Sequence, residues 1–425
     1  MLQLFVKLSY YYLTRRMFMI DFTGSLRDRF IRYTAFDTQS DPEKCGIARP
    51  TTPGQEVLQR QLMKELEEFG LEVYYGEEKV VMGRLEGNAE GTVIGFMAHV
   101  DTADDVAGNG VKAQLISSYD GCDIILKNGT VIKADEDQDL ALYKGREIIT
   151  SDGTTLLGSD DKAGVAIIME AIKYLTEHKE VKHGPVEVYF TPDEETGSGM
   201  SMFPYSRMKS SVCYTVDGGR ADEIESECFN AATVKIRVKG VSIHLGSARG
   251  KLVNALTIVS QIVSALPQAE SPEATDGRYG YYCPLDMKGS ATEAELSVFI
   301  RDFDIDSFKH RIECVEKLAS AIGAIYRGSV EIDTAVSYHN MAEANKSNPK
   351  ALESIFESGK KLGFDLYEEI IRGGTDGARL AETGVPCPNL FTGGHNLHSL
   401  KEWVSVDAMN KSANLVLGII DYWRA

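Results

Sequence analysis

Four acidic clusters in this 425-residue sequence carry side chains that could bind a metal ion. They are His99-Val100-Asp101, Asp160-Asp161, Asp193-Glu194-Glu195 and Asp217. Carboxylates combined with histidine, without thiolates, are ligands suited to zinc, manganese or cobalt. Any one cluster could instead cap a helix or a turn, because Asp is a common N-cap residue. Their joint occurrence favours a metal site over four separate structural roles.

The segments around these clusters predict the elements that position them. TVIGFMAHV, PVEVYF and SVCYTV have the composition of strands buried on both faces, as in a parallel sheet covered by helices. DKAGVAIIMEAIKYLTEH, between the first two, predicts a helix. Sites in open α/β sheets gather outside the carboxyl ends of strands. We therefore expect the clusters to converge there, where so many carboxylates would be costly without a cation among them.

The sequence pattern changes near residue 229 and changes back after about residue 340. TVKIRVKG alternates apolar and basic residues, which predicts a strand with one wet face, and the segments after it suggest a β-α-β-β-α-β layer. The predicted fold class is α/β, with a mixed-sheet catalytic domain that has helices on both faces. We assign residues 21–228 and 337–425 to that domain and residues 229–336 to an inserted, smaller α+β lid domain of ferredoxin-like type.

Composition narrows the choice of partners and compartment. A net charge of −18 disfavours nucleic acid or an anionic membrane as a partner. The seven cysteines are scattered and include no C-x-x-C pair, which argues against a disulfide framework and fits a reducing cytoplasm. The opening MLQLFVKLSYYYLTRRMFMI lacks the charge order of a signal peptide and is too short to span a membrane. We interpret residues 1–20 as an N-terminal extension, with the working chain starting near Met17 or Met19.

Three of the eight histidines stand out as candidates for the site. His99 precedes Asp101, His244 lies in VSIHLGSARG, and His398 lies in GGHNLHSLKE. His395, in the same segment as His398, is a close competitor. Spacing alone does not choose between these two histidines.

The motifs HVDT, LLGSDDKAG, TPDEETGSG, YTVDGG, RGGTDG and FTGGHNLHSLKE resemble, in order and spacing, those of the di-zinc M20 metallopeptidases. FNAATVKIRVKG, GKLVNAL, MKGSATEAELSVFIRDFD and RGGTDGARLAETGVPCPNLFTGG are similar to the peptidase T branch, the tripeptide aminopeptidases. The resemblance extends from about residue 25 to the C-terminus and leaves the first twenty residues uncovered.

The resemblance implies two Zn²⁺ ions per subunit, with Co²⁺ or Mn²⁺ as substitutes. The implied ligands are His99 and Asp217 for one ion, Glu195 and His398 for the other, and Asp160 as a bridge between them. In the family the histidine ligand precedes a small residue and then an acid. That pattern selects His398 over His395.

The resemblance also implies catalytic roles. Glu194 would be the general base that takes a proton from a water bridging the two metals and passes it to the leaving amine. Asp101 would hydrogen-bond the ring of His99. His244, on the lid, would donate a hydrogen bond to the oxyanion.

Substrate capture is implied at a third set of residues. Arg301 in IRDFD and Arg372 in RGGTDG would bind the free carboxylate of a tripeptide, with Asn230 nearby. Two departures from the family pattern occur. Leu245 stands where a proline is expected after His244, and HNLHSLKE stands where YNYHGKHE is expected. The second departure keeps the ligand and the acid but changes the pocket walls.

We therefore expect a cytoplasmic zinc metallo-aminopeptidase that removes the N-terminal residue from tripeptides. Its partner would be a small peptide, with no nucleic acid and no membrane, and it would be a monomer or a homodimer. A dipeptidase, a carboxypeptidase or an N-acyl amino acid deacylase would share the metal residues, but the lid and the RGGTDG segment favour the tripeptidase. A non-enzymatic zinc-binding or scaffold protein could lose Glu194 or a ligand, yet every position is filled. For a two-metal phosphatase, the basic groups are too few and too dispersed.

Overall fold

The computed structural model describes residues 19–424 of the chain. Most of the predicted N-terminal extension, including Met17, lies outside the described residues. Among residues 19–424, no helix has the length and apolar composition needed to cross a membrane.

Within that range the α-helices are α1 (Thr23–Thr34), α2 (Pro53–Glu68), α3 (Ser159–Glu177), α4 (Ala255–Ala265), α5 (Ile305–Tyr326), α6 (Ala342–Ser347), α7 (Lys350–Leu362), α8 (Asp376–Ala381) and α9 (Val406–Tyr422). Short 3₁₀ turns occupy Pro42–Lys44, Leu140–Tyr143, Leu245–Ser247, Gln268–Glu270 and Pro272–Ala274.

The strands are β1 (Glu72–Tyr75), β2 (Val81–Leu85), β3 (Ile94–His99), β4 (Gln114–Ile116), β5 (Ile124–Ile125), β6 (Val131–Ile132), β7 (Ile148–Thr150), β8 (Val186–Thr191), β9 (Val212–Gly218), β10 (Glu223–Cys228), β11 (Asn230–Lys239), β12 (Tyr281–Gly289), β13 (Glu293–Asp302), β14 (Ser329–Tyr338), β15 (Tyr367–Ile371), β16 (Asn389–Phe391), β17 (Gly394–His395) and β18 (Trp403–Ser405).

The main sheet has eight strands in the order β1-β2-β8-β3-β9-β16-β10-β15. β8, β3, β9 and β16 are mutually parallel, whereas β2 and β10 pair antiparallel with their neighbours β8 and β16. The three apolar runs predicted as strands are β3, β8 and β9, and every residue of β3 and β8 is buried. The predicted α/β class with a mixed sheet is therefore confirmed.

Apolar side chains cover both faces of this sheet. Phe96 and Ala98 of β3 belong to a core formed with α1, α2, α3, α7 and α9, whereas Met97 faces the other way, into a core with Leu380 of α8. This opposition follows from the alternation of side chains along a strand. Each fully buried large apolar side chain contributes about 1.5–3 kcal/mol to the free energy of folding, relative to an exposed one. The central strands are therefore firmly packed, and they fix the positions of the polar residues at their ends.

The chain forms two compact units. The first contains the residues up to Ser226, Glu343–Glu369 and those from Thr375 onward, and the second contains Glu227–Ala342 and Ile370–Gly374. The second unit thus includes a distant five-residue segment that the predicted boundaries, 229–336, leave out. Gly374 packs closely against the ring of Tyr338 in this unit, a contact that sequence patterning does not reveal.

The second unit has the order β11-α4-β12-β13-α5-β14, and its sheet has the antiparallel order β12-β13-β11-β14. This is the ferredoxin-like arrangement. Val234, Ile236 and Val238 of β11 are buried in a core with α4 and α5, while the intervening side chains are partly or fully exposed. β12 was not located from the sequence, because it contains a proline and most of it is exposed.

Candidate metal centre

The acidic clusters meet at the carboxyl ends of the central strands. His99 ends β3, Asp217 lies near the end of β9, and Asp160 lies in the first turn of α3. Possible ligand atoms of His99, Asp160 and Glu195 lie within 4.8 Å of one another. His99 Nε2 is 2.9 Å from Asp160 Oδ1 and 3.5 Å from Asp217 Oδ1. Parallel strands flanked by helices therefore bring together side chains that are far apart in the sequence.

His398 joins this group, whereas His395 does not contact it. His398 Nε2 lies 3.3 Å from Asp160 Oδ2 and 3.1 Å from Glu195 Oε2. The ring of His395 instead stacks on Trp403, with 3.9 Å between ring centroids. Burial lowers the pKa of His395 to about 4, so its ring is a neutral packing group at physiological pH. The geometry therefore makes the choice that spacing left open.

The donor set fits divalent cations. Burial raises the pKa of both Asp217 and Glu195 to about 7, and the negative charges of nearby carboxylates contribute to the increase. Glu195 Oε1 is buried and has no hydrogen-bond partner within the described residues. Bound cations would relieve the repulsion between carboxylates and occupy the unpaired oxygen. Oxygen and imidazole nitrogen donors are also the ligands that zinc accepts.

A further acid, Asp161, is close enough to His99 and Asp217 to share a metal site with them. Its carboxylate, however, accepts the backbone N–H groups of His99 at 3.2 Å and Gly164 at 3.1 Å. Asp161 therefore fixes the backbone of a candidate ligand, His99, and the start of α3.

Asp101 has a second contact that sequence reasoning missed. It lies beside the His99 ring: His99 Nδ1 is 3.4 Å from Asp101 Oδ1 and 3.1 Å from the Asp101 carbonyl oxygen. The two carboxylate oxygens of Asp101 also accept the backbone N–H groups of Glu194 and Glu195, at 3.0 and 3.1 Å. This buried side chain thus connects a histidine to the two adjacent glutamates.

The turn that presents Glu194 and Glu195 is fixed from its other side by Asp193. Asp193 adopts a left-handed backbone conformation with φ of 60°. Its carboxylate accepts the Thr51 N–H, the Thr51 hydroxyl and the Gln55 side-chain amide, and Gln55 Oε1 accepts the Asp193 N–H. No local sequence signal links Asp193 to these partners, because they lie 138–142 residues away.

Glu194 differs from its neighbour Glu195. It belongs to neither group of candidate metal ligands among the described residues. Burial raises the pKa of Glu194 well above its ordinary value. A carboxylate that lies beside candidate ligands, and whose pKa is raised by burial, is suited to exchanging a proton.

Residues 150–422, more than half of the chain, match the model of peptidase family M20/M25/M40. The chain belongs to this family. Peptidase T of Bacillus licheniformis is 44% identical over 403 residues, which cover 93% of this chain and 98% of the relative. Peptidase T of Bacillus velezensis is 43% identical over 400 residues, covering 92% and 97%. These relatives confirm the resemblance to the peptidase T branch, so this M20 peptidase is a hydrolase that acts on peptide bonds.

Solved structures agree on the fold. Aminopeptidase PepT from Bacillus cereus superposes with a TM-score of 0.75 at 23% identity, covering 94% of this chain and 98% of that chain. A tripeptidase from Staphylococcus aureus gives 0.75 at 21%, covering 95% and 98%. A dinuclear metal-binding M20 peptidase from Bacillus subtilis gives 0.63 at 15%, covering 94% and 97%.

The predicted substrate-binding residues of this M20 peptidase lie in the second unit. Asn230 is buried, with its side-chain amide donating to the carbonyls of Asp302 and Phe303 and its oxygen accepting the Asn340 N–H. It serves to join strand ends within the unit. His244 is exposed and caps the short turn at Leu245–Ser247 by accepting the Gly246 N–H at 3.2 Å.

The two predicted arginine anchors differ in how many of their donors are used. Arg372 donates to the carbonyls of Gly277, Tyr279 and Thr275. Among the described residues, the hydrogen bonds of Arg301 use only Nη1, which donates to the carbonyls of Ala232 and Ile300. The Arg301 guanidinium also lies over the ring of Phe299, 5.2 Å from its centroid. Arg301 therefore keeps more hydrogen-bonding capacity for a ligand than Arg372.

Proposed function

We propose that this chain is a tripeptide aminopeptidase that hydrolyses the first peptide bond of its substrate at a centre of two Zn²⁺ ions. The observation that carries the proposal is the cluster of histidine and carboxylate side chains at the strand ends, with the buried Glu194 beside it. The name peptidase T, shared by relatives at 43–44% identity, supports the substrate class. The aminopeptidase and the tripeptidase among the solved structures share the fold.

The proposed ligands follow the contacts in the cluster. They are His99 and Asp217 for one ion, Glu195 and His398 for the other, and Asp160 between them. Asp160 suits a bridging role because its two oxygens face different histidines, Oδ1 toward His99 and Oδ2 toward His398. Bound zinc ions would lower the pKa of a water molecule and polarise the scissile carbonyl, and Co²⁺ or Mn²⁺ could substitute.

The proton moves through Glu194. Its carboxylate accepts the proton of the attacking water and delivers it to the amine of the leaving dipeptide. Asp101 and Asp193 hold the turn that carries Glu194. Asp101 accepts the backbone N–H groups of Glu194 and Glu195, and the backbone N–H of Asp193 donates to Gln55. A turn whose backbone is fixed in advance limits the positions open to the Glu194 carboxylate, so less orientational freedom is lost during the transfer.

Substrate binding is proposed for the second unit. We assign the free carboxylate of the tripeptide to Arg301, because a guanidinium with uncommitted N–H groups can form paired hydrogen bonds to it. Arg372 would then support the loop that contains Gly277 and Tyr279, whose carbonyls it already binds. His244, exposed in its loop, is the proposed donor to the oxyanion.

The remaining expectations are part of the same proposal. A cytoplasmic enzyme acting on small peptides is consistent with a net charge of −18 and with cysteines that form no disulfide in the described part of the chain. Neither nucleic acid nor a membrane surface is proposed as a partner. A monomer or a homodimer is the proposed state.

The test is hydrolysis of di-, tri- and tetra-alanine by the purified protein, before chelation, after it, and after zinc is restored. We expect release of free alanine from trialanine, loss of this activity with chelator, and recovery with zinc. N-acetylated trialanine is the matched control and should not be cleaved. Preferential cleavage of dialanine would assign a sister activity of the family, and no cleavage by the zinc-loaded protein would refute the proposal.

A further inference from the structure

Glu402 is a buried carboxylate enclosed by hydrogen-bond donors from one short loop. The residue is 1% exposed. Glu402 Oε2 accepts the backbone N–H groups of Leu157 at 2.6 Å and Gly158 at 2.9 Å. Glu402 Oε1 accepts both the backbone N–H and the hydroxyl of Ser159 at 2.6 Å, and the N–H of Asp160 at 3.4 Å. Four consecutive backbone N–H groups therefore converge on one side chain.

The loop from Leu157 to Asp160 needs such an acceptor. The first N–H groups of a helix have no partner inside the helix. At α3 the backbone is also irregular, because Asp160 and Asp161 have non-helical φ/ψ angles and Gly158 adopts a left-handed conformation with φ of 81°. The regular hydrogen bonds of a helix therefore do not fix this loop, and the negative charge of Glu402 supplies the missing acceptor.

The same loop carries the side chain that would join the two metal ions. Asp160 Oδ1 lies 2.9 Å from His99 Nε2, and Asp160 Oδ2 lies 3.3 Å from His398 Nε2. A shift of the Asp160 backbone would therefore change its distance to both histidines at once. No other candidate ligand in the described structure contacts both of them through separate oxygens.

Glu402 is itself held by the sheet next to it. Strand β18 begins at Trp403, immediately after Glu402, and pairs antiparallel with β7. His398 lies four residues before Glu402, in the same segment. The segment from His398 to Glu402 thus supplies one candidate ligand, His398. Through Glu402 it also anchors another, Asp160, which lies 238 residues away from His398 in the sequence.

We propose that Glu402 is a positioning residue for Asp160 and that, through Asp160, it determines how tightly the two metal ions bind. The inference rests on the proposed metal centre but concerns a residue that touches neither the substrate nor a metal. Glutamine has the shape of glutamate but replaces one acceptor oxygen with an NH₂ group. In Glu402→Gln that group would face backbone N–H donors, so the loop would move.

Glu187 offers a matched control. It is 4% exposed, and its carboxylate accepts the Lys209 and Ser210 backbone N–H groups at 2.9 and 2.8 Å and the Ser210 hydroxyl at 2.7 Å. Like Glu402, it is a buried carboxylate that accepts backbone N–H groups and a serine hydroxyl, and it also accepts the Tyr189 hydroxyl and lies 3.4 Å from Arg84. It lies near the start of β8, however, whereas Glu194 and Glu195 follow the end of that strand. Glu187→Gln should therefore lower stability without disturbing the metal ligands.

The experiment measures zinc affinity in the full-length wild type, Glu402→Gln and Glu187→Gln. Each protein is stripped of metal and titrated with Zn²⁺ against a chromophoric chelator, and the absorption spectrum of its Co²⁺ form is recorded. We expect zinc affinity to fall about 10–100-fold in Glu402→Gln, the usual range for partners that orient metal ligands, and the Co²⁺ spectrum to change. We expect Glu187→Gln to match the wild type in both measurements while it unfolds at lower urea concentration.

Two results would overturn the proposal. One is an unchanged zinc affinity in Glu402→Gln, and the other is an equal loss of affinity in Glu187→Gln, which would indicate general destabilisation. If Glu402→Gln does not fold, Ser159→Ala removes one donor and keeps the carboxylate. It should weaken zinc binding by less than Glu402→Gln would, and an unaltered affinity would again refute the role. A wild type that binds no zinc would instead refute the proposed metal centre itself.

Discussion

Two groups of buried charges lie in the first unit, and their pairing differs. In the group that we call the Arg29 cluster, the Arg29 guanidinium lies between Glu65 and Glu170, with Nε 2.9 Å from Glu170. Arg32 contacts Glu65 at 3.1 Å, and the Tyr33 hydroxyl donates to Glu65 at 2.8 Å. Each carboxylate in this cluster therefore faces a permanent positive charge.

Within residues 19–424, no such charge pairs with the candidate ligands of the metal centre. Among the described residues, the ion pairs of Asp160, Glu195 and Asp217 are with His99 and His398 only. Glu195 Oε1 has no hydrogen-bond partner at all in that part of the chain. The candidate metal centre therefore has more hydrogen-bond acceptors than its own side chains can satisfy.

The pKa of Glu65 moves in the opposite direction from those of two candidate ligands, Asp217 and Glu195, whereas the hydrogen bonds from His398 and His99 lower the pKa of Asp160 despite its burial. Although burial acts to raise it, the pKa of Glu65 lies below its ordinary value because of the hydrogen bond from Gln61 and the charge of Arg29. Burial raises the pKa of Asp217 and Glu195 to about 7. A cluster that pairs its own charges becomes less stable when one partner is removed, whereas a cluster that leaves acceptors unpaired can bind a cation from outside.

The largest expected effect separates chemistry from binding at the metal centre. Glu194→Gln should reduce kcat for trialanine by about 10²–10⁴-fold, because the side chain can no longer accept a proton. Zinc content should stay at the wild-type level, since Glu194 is not among the candidate ligands. The control is Glu65→Gln in the Arg29 cluster, which should keep the wild-type kcat. Retention of kcat in Glu194→Gln would remove Glu194 from the mechanism.

The next prediction breaks the Arg29 cluster. Arg29→Met would leave Glu65 and Glu170 buried without their main cation, and loss of one partner of a buried ion pair costs about 3–5 kcal/mol of unfolding free energy. Urea unfolding at pH 7 measures this loss, and zinc affinity should be unchanged. Arg60→Met is the matched control, because Arg60 is an exposed partner of Glu56 and should contribute less than about 1 kcal/mol. Equal losses in the two variants would contradict the assigned difference between the clusters.

A smaller effect per bound ion is expected when zinc is supplied to the metal-free protein. A ligand that binds only the folded state stabilises it by about 2.7 kcal/mol per site at 100 times its dissociation constant. We expect this gain in the wild type and also in Arg29→Met, because the Arg29 cluster offers no site to zinc. His398→Ala should lose part of the gain. A gain that persists undiminished in His398→Ala would place the zinc elsewhere.

The fold and the ligand types could be predicted from the sequence because each leaves a local pattern. β3, β8 and β9 appear as apolar runs, and the acidic residues follow their ends. The position of β12 and the inclusion of residues 370–374 in the second unit could not be predicted. β12 lacks a clear strand pattern because it contains a proline and is mostly exposed, and residues 370–374 join the second unit through contacts such as that of Gly374 with the distant Tyr338.

The supports of the site were also beyond prediction. Asp101 and Glu402 accept hydrogen bonds from backbone N–H groups, which every residue except proline carries. A motif can therefore identify the glutamates that could bind metal but cannot indicate which carboxylate holds their backbone. The packing of His395 could not be predicted for a similar reason: only the structure shows that its ring stacks on Trp403, which agrees with the family pattern that selects His398.

The smallest expected effect is a pH dependence that belongs to the Arg29 cluster. The pKa of Glu65 is lowered in the folded state, so its charge contributes stability that is fully present above its unfolded pKa, near 4.5. That contribution is lost as the pH falls through the lower folded value. The difference in unfolding free energy between wild type and Glu65→Gln should therefore be greatest at pH 7 and should shrink below pH 4.5, as followed by urea unfolding across that range. A difference that stays constant into acid would mean that Glu65 contributes through packing and neutral hydrogen bonds, and the Arg29 cluster would then differ from the metal centre in geometry but not in the pairing of charge.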